Sequence, residues 1–188
     1  YGSDVIGEPL KGMAAAWDVN SDRYVGRDTW QQLRVDIQAA KRERGEAQGY
    51  AHYSYRADYQ LTDYVIYNLF PSNVITVGPD GVQLLRSRPH PTDPAQCLFD
   101  HWWLVNRVEG QDMTPSPAGG PDLPVADAPH EHIQYGEKTL GTVADQDLSI
   151  AEMQQKGLAS AGYQGYWMSH QERRVQAFHE HLNDLMSD

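Results

Sequence analysis

The chain has 188 residues, 40% of them hydrophobic, which is enough for one domain with a real core. Against 15 Lys and Arg stand 26 Asp and Glu, a formal net charge of -11 that repels phosphate backbones and argues against a nucleic-acid partner. No stretch approaches the roughly 20 apolar residues of a membrane span, and the first residues, Tyr1-Gly2-Ser3-Asp4, have neither the basic nor the apolar region of a targeting peptide.

These features place the chain in the cytoplasm as an expectation. The single cysteine, Cys97, cannot form an internal disulfide, and its apolar surroundings in sequence predict a buried structural thiol.

In chain order, the first 25 residues are mixed, with turn signals at Gly7-Glu8-Pro9 and Asn20-Ser21-Asp22, and predict no regular element. From about Arg27 to Gln48 the pattern is helical: Trp30, Leu33 and Ile37 recur at spacings of three and four, and basic residues gather before Gly49. Residues 59 to 108 read as antiparallel sheet. Tyr64 to Phe70 is an apolar strand stopped by Pro71, and Asn73 to Val77 is a second. Gly78-Pro79-Asp80-Gly81 is a turn, from which Val82 to Arg88 returns as a hairpin partner. Cys97 to Val105 forms a further long strand.

Between Glu109 and Pro129 the composition shifts to Pro, Gly, Asp and Ala, which predicts a long loop within one domain spanning residues 1–188. Two helices then close the chain. The first runs from about Asp145 to Ala159. The second opens on Ser169-His170-Gln171-Glu172, a capping-box pattern, and its apolar face of Val175, Phe178, Leu182 and Leu185 is expected to lie across the sheet. The fold class is therefore α+β, an antiparallel sheet with packed helices.

Several of these pieces together resemble one family. Asp63-Tyr64-Val65-Ile66-Tyr67-Asn68-Leu69-Phe70-Pro71 is similar to the strand ending in Leu-Phe-Pro-Asn in the α subunits of Rieske-type non-haem iron ring-hydroxylating oxygenases. The segment from Arg86 through Pro89 to Asp93-Pro94 resembles their Arg-x-x-Pro-x-x-x-x-Asp-Pro run. Asp145 to Ser160 looks like the helix that carries their iron-binding aspartate, and Ser169 to Leu185 resembles their closing helix. The likeness covers residues 60 to 188 well and the first 60 poorly. Ser72 stands where the family commonly has Asn.

The resemblance implies the C-terminal portion of a START-like helix-grip catalytic domain that holds mononuclear Fe(II). Such a domain hydroxylates an aromatic or other apolar substrate with dioxygen, two histidines and one carboxylate occupying one face of the metal. Asp147 is the implied carboxylate, with Asp145 the alternative; ordinary capping at a helix N-terminus is the plainer reading of both. No further catalytic residue is implied.

The family's two histidines lie in a His-x-x-x-x-His type motif, and no such pair occurs between Tyr1 and Tyr59. A Rieske 2Fe-2S cluster needs two Cys and two His, so this sequence with its one cysteine cannot hold it, and the resemblance implies an N-terminal domain that does. Electrons would come from a ferredoxin or reductase, and the family commonly forms homotrimers.

His130 and His132 would share one face of a strand and could join Asp147 as a metal set, although Pro129 and the loop composition favour surface histidines. Leu69, Phe70, Trp102 and Trp103 are candidates for an apolar substrate pocket, with sheet core as the plainer reading. A metal-free, START-like module holding a small hydrophobic ligand is the rival function.

Overall fold

The computed structural model describes residues 6–26, 29–114, 123–125 and 130–187. It is an α+β structure in which four antiparallel strands and four helices are joined by short 3-10 turns.

Helix α1 (Glu8–Ala16) occupies the region where no regular element was expected. Gly7-Glu8-Pro9 proves to be a helix start: Pro9 sits in the first turn, where its missing N–H has no intrahelical partner to lose and its fixed φ suits the helix. Helix α2 (Trp30–Arg44) falls inside the predicted span. Leu33, Ile37, Ala40 and Lys41 lie on its buried stripe, whereas Trp30 at its first position stays partly exposed. Lys41, Arg42 and Arg44 in its last turn complement the helix dipole.

The core sits in this helical half. Ala14 packs with Leu33 and Ile37, and Trp17 with Ala40, Tyr53 and Leu61. Tyr53 and Leu61 come from two 3-10 turns, Ala51–Tyr55 and Asp58–Leu61, that lead into the sheet.

The sheet has the order β1 (Val65–Leu69), β2 (Asn73–Val77), β3 (Gly81–Pro89), β4 (Cys97–Val105), each strand antiparallel to its neighbour. The strands match the sequence reading closely because each is bounded by a strong breaker: Pro71, the Gly78 to Gly81 turn, and the run from Pro89 to Pro94.

Cys97 departs from expectation. It is exposed, because it opens β4, an edge strand, and pairs with Pro89 at the frayed end of the ladder. The apolar run that follows in sequence therefore does not cover it.

Inside the predicted loop, β5 (Met113–Thr114) pairs with β6 (Leu123–Pro124) in a separate two-stranded ladder. Residues 115–122 and 126–129 of that loop lie outside the described residues.

Helix α3 (Thr142–Leu158) begins three residues earlier than predicted, and α4 (Arg173–Ser187) follows a 3-10 turn at His170–Glu172. The Ser169 backbone N–H donates to Glu172 Oε2 at 2.7 Å, as the capping box requires. No residue of α4 is buried, and Val175 and Leu185 remain about half exposed. Phe178 and His181 nonetheless meet the sheet at the β1–β2 turn, their ring centres 5.4 and 4.6 Å from that of Phe70.

A clasp fixes the helical half to the sheet. Asp80, in the β2–β3 turn, accepts from the Tyr53 hydroxyl at 2.5 Å, lies 3.4 Å from His52 Nε2 and pairs with Lys41 Nζ at 3.7 Å. Lys41 is 1% exposed and stands over the rings of Tyr53 and Trp17, with centroids 5.0 and 5.7 Å away. Burial lowers its pKa, with Asp80 opposing. Burial alone would raise the Asp80 pKa, but His52, Lys41 and Tyr53 together hold it below the usual carboxylate range.

Candidate functional site

Strand register sorts the sheet residues onto two faces, because successive side chains alternate and each cross-strand pair shares a face. On the first face lie Tyr67, Leu69, Ile75, Leu84, Arg86, Arg88, Asp100 and Trp102. The second carries Ile66, Val74, Gln83, Leu85, Phe99, His101, Trp103 and Val105.

The first face is polar at its centre. Asp100 Oδ2 accepts from Arg86 Nε at 2.8 Å and Arg88 Nε at 2.7 Å, and the Arg86 guanidinium lies 5.0 Å from the Trp102 ring centre. Arg88 first, then Arg86, pull the Asp100 pKa far below its ordinary value. Near one end of this face a shallow open groove is lined by Arg56, Tyr59, Asp63, Val65 and Tyr67.

On the second face Gln83, Leu85, Phe99, His101 and Trp103 are half-buried, whereas Asn68 and Ser87 toward its end are exposed. At its centre a polar pair meets: Gln83 Nε2 lies 3.1 Å from His101 Nε2. His101 also meets the Trp103 ring, 5.4 Å away, and burial lowers its pKa, so the imidazole is neutral at pH 7.

The four pocket candidates are thus divided. Trp103 is on the second face, Trp102 and Leu69 are on the first, and Phe70 lies past the end of β1 against α4. Adjacent tryptophans on a strand cannot share a face. Gln83 and His101 were passed over in the sequence because a lone histidine and a lone glutamine carry no spacing signal. Their meeting depends on β3–β4 register.

Both candidate carboxylates stand near the start of α3. Asp145 is engaged: Oδ1 accepts from the Leu140 N–H at 2.9 Å, and Oδ2 from the Thr139 hydroxyl. Those two bonds, Thr139 foremost, lower its pKa. Asp147, two residues on and so toward the opposite side of the helix, is exposed and makes no hydrogen bond or ion pair with any described residue.

His130 and His132 are exposed, with ring centres 5.4 Å apart, and Glu131 between them pairs with Lys138. The other histidines have local tasks. His90 Nδ1 accepts from the Asp93 N–H at 3.1 Å, His179 meets the Tyr166 ring, and His52 belongs to the clasp. Among the described residues no three His, Cys, Asp or Glu side chains gather as a metal-holding group. The described donors therefore do not fit a whole iron centre; of the two candidate aspartates, Asp147 is the one without a partner among them.

An antiparallel sheet with helices before and after it defines an α+β domain. Residues 6–188 match the family described as ring hydroxylating alpha subunit (catalytic domain), and the chain belongs to that family. No curated protein and no solved structure matches it. Membership supports an oxygenase function, which in this family is that of an oxidoreductase and in general implies dioxygen and electron-transfer partners, and does not favour a metal-free binding module. Among the described residues no helix is long and apolar enough to cross a membrane.

Proposed function

We propose that this chain is the C-terminal portion of the catalytic domain of a Rieske-type oxygenase, and that Asp147 is its iron ligand. The observation that carries this choice is the contrast between the two aspartates. Asp145 spends both oxygens capping the approach to α3, whereas the Asp147 carboxylate has no partner among the described residues and remains available to a cation.

A carboxylate joined by two imidazoles is the donor set that suits Fe(II) and leaves positions open for dioxygen. The imidazoles would come from outside this sequence, whose eight histidines all lie among the described residues without gathering as a metal set. When bound, the iron supplies dioxygen activation. Helix α3 carries the carboxylate, and the second face of the sheet furnishes an apolar wall against which an aromatic substrate lies. A START-like helix-grip arrangement, a cytoplasmic homotrimer and a separate 2Fe-2S domain fed by a ferredoxin or reductase complete the reading.

Iron measured in the intact protein tests it. Asp147→Ala should lower bound iron at least tenfold, while Asp145→Asn, which keeps an oxygen acceptor at the helix start, should retain it. Equal iron in wild type and Asp147→Ala rules out the assignment.

A further inference from the structure

On the second face of the sheet, the Gln83–His101 pair is out of keeping with its neighbours. Leu85 stands directly across the ladder from His101, and Trp103 directly across from Gln83, with Val74 and Thr76 one strand further on. In such surroundings a polar side chain is retained at a cost unless its hydrogen bonds are made. His101 makes one. Among the described residues its contacts are the hydrogen bond with Gln83 and the ring contact with Trp103, which leaves Nδ1 without a partner.

The chemistry of Gln83 fixes what that free nitrogen can do. The Gln83 amide nitrogen can only donate, so His101 Nε2, 3.1 Å away, must be its acceptor. A neutral imidazole that accepts at Nε2 carries its hydrogen at Nδ1. The open position is therefore an N–H donor set in an aromatic and aliphatic floor. A hydrocarbon has nothing to offer it, and a cation is repelled by it. An oxygen acceptor on a flat apolar body satisfies both the donor and the floor.

We propose that His101 is a specificity-determining residue whose Nδ1–H donates a hydrogen bond to an oxygen acceptor, such as an ether or carbonyl, on an aromatic substrate lying against Trp103 and Leu85. This rests on the oxygenase reading for the identity of the ligand as a substrate. Gln83 acts through His101, holding the tautomer, and is a positioning residue.

The test compares two nearly isosteric probes, 2-methoxynaphthalene and 2-ethylnaphthalene, by equilibrium binding to the intact protein, with iron content and oxygenation of each followed in parallel. The ratio of the two dissociation constants removes general changes in packing. His101→Phe should shift that ratio against the methoxy compound by about fivefold, the scale of one neutral hydrogen bond, while binding of the ethyl compound stays within about twofold. His101→Asn, which keeps an N–H near the position of Nδ1, should restore the wild-type ratio. Should phenylalanine not fit, His101→Leu gives the same comparison.

An unchanged ratio in His101→Phe, or a ratio in His101→Asn as low as in His101→Phe, overturns the assignment. If the ratio shifts as expected but the wild-type protein holds no iron and oxygenates neither probe, the oxygenase reading falls and the acceptor site stands. If the wild type is iron-replete and active but the ratio does not move, only the His101 assignment falls.

Discussion

Removing Asp80 should destabilise the protein far more than removing its partner Lys41, and the difference should shrink as pH rises. Lys41 is 1% exposed and has Asp80 as its counter-charge at 3.7 Å, whereas Asp80 keeps Tyr53 and His52 as further partners and is 39% exposed. Asp80→Asn strands an ammonium among Trp17 and Tyr53. Breaking a buried pair in that way costs about 3–5 kcal/mol. The ceiling follows from neutralisation: giving up the proton of a lysine with ordinary pKa 10.5 costs about 4.8 kcal/mol at pH 7 and about 2 kcal/mol at pH 9. Lys41→Met leaves Asp80 partly solvated and hydrogen-bonded, so its cost should be about 1 kcal/mol.

The sign follows from the direction of the shift. A lysine whose folded pKa is depressed opposes folding while it must be charged, and the penalty fades as pH climbs toward its ordinary value. Urea unfolding at pH 7 and pH 9 measures this, with equal m-values as the check that the unfolded state is unchanged. The double variant Asp80→Asn with Lys41→Met should recover most of the loss, since the stranded charge is gone. A penalty for Asp80→Asn below about 1 kcal/mol at pH 7, or one that grows with pH, would refute the claim that Lys41 is held charged in the core.

Two further outcomes concern the sheet and its junction. Asp100→Asn should lower the urea midpoint by a constant amount between pH 5 and pH 8, and the gap to wild type should close below about pH 4, because the carboxylate's depressed pKa gives stability that is lost only as pH falls through it. A gap that widens in acid would contradict the two-arginine arrangement. Gly49→Ala should cost about 2 kcal/mol in the same assay: Gly49 has φ 89°, and an added Cβ would come within 2.9 Å of the Glu109 carbonyl oxygen and Val108 Cγ1. A neutral result there would mean that this junction can shift without strain.

What could be read from the sequence depended on whether the signal was local. Strands β1 to β4 were legible because Pro71, the turn at Gly78 to Gly81 and the Pro89 to Pro94 run punctuate them within a few residues. α1 was missed although its start signal was present, since Gly7 and Pro9 serve a turn and a helix N-terminus alike. Cys97 was misjudged for a different reason: an apolar run says that a strand is present, not that its first residue is covered. The clasp could not be foreseen, because Lys41, Tyr53 and Asp80 come from a helix, a 3-10 turn and a hairpin, and nothing in their spacing announces the meeting. The same holds for Gln83 and His101, whose contact across 18 positions is a product of register. The likeness of Asp145 and Asp147 to the family's aspartate left two candidates open, and only their different hydrogen bonding distinguishes them.

The two faces of the sheet are suited to different work, and this bears on where a substrate would lie. The first face spends its polar groups on itself, with two arginines locked onto Asp100 and one of them stacked on Trp102. A flat apolar molecule placed there would have to displace a charge-assisted network, which is unfavourable. The second face offers Trp103, Leu85, Phe99 and Val74 with no ion pair among its described residues, and at His101 a neutral donor left unused. Desolvating it for an aromatic ring costs little, and one oriented N–H is enough to fix which edge of the ring faces the sheet. An oxygenase must control which ring position meets the metal, so the donor's value lies in orientation more than in affinity.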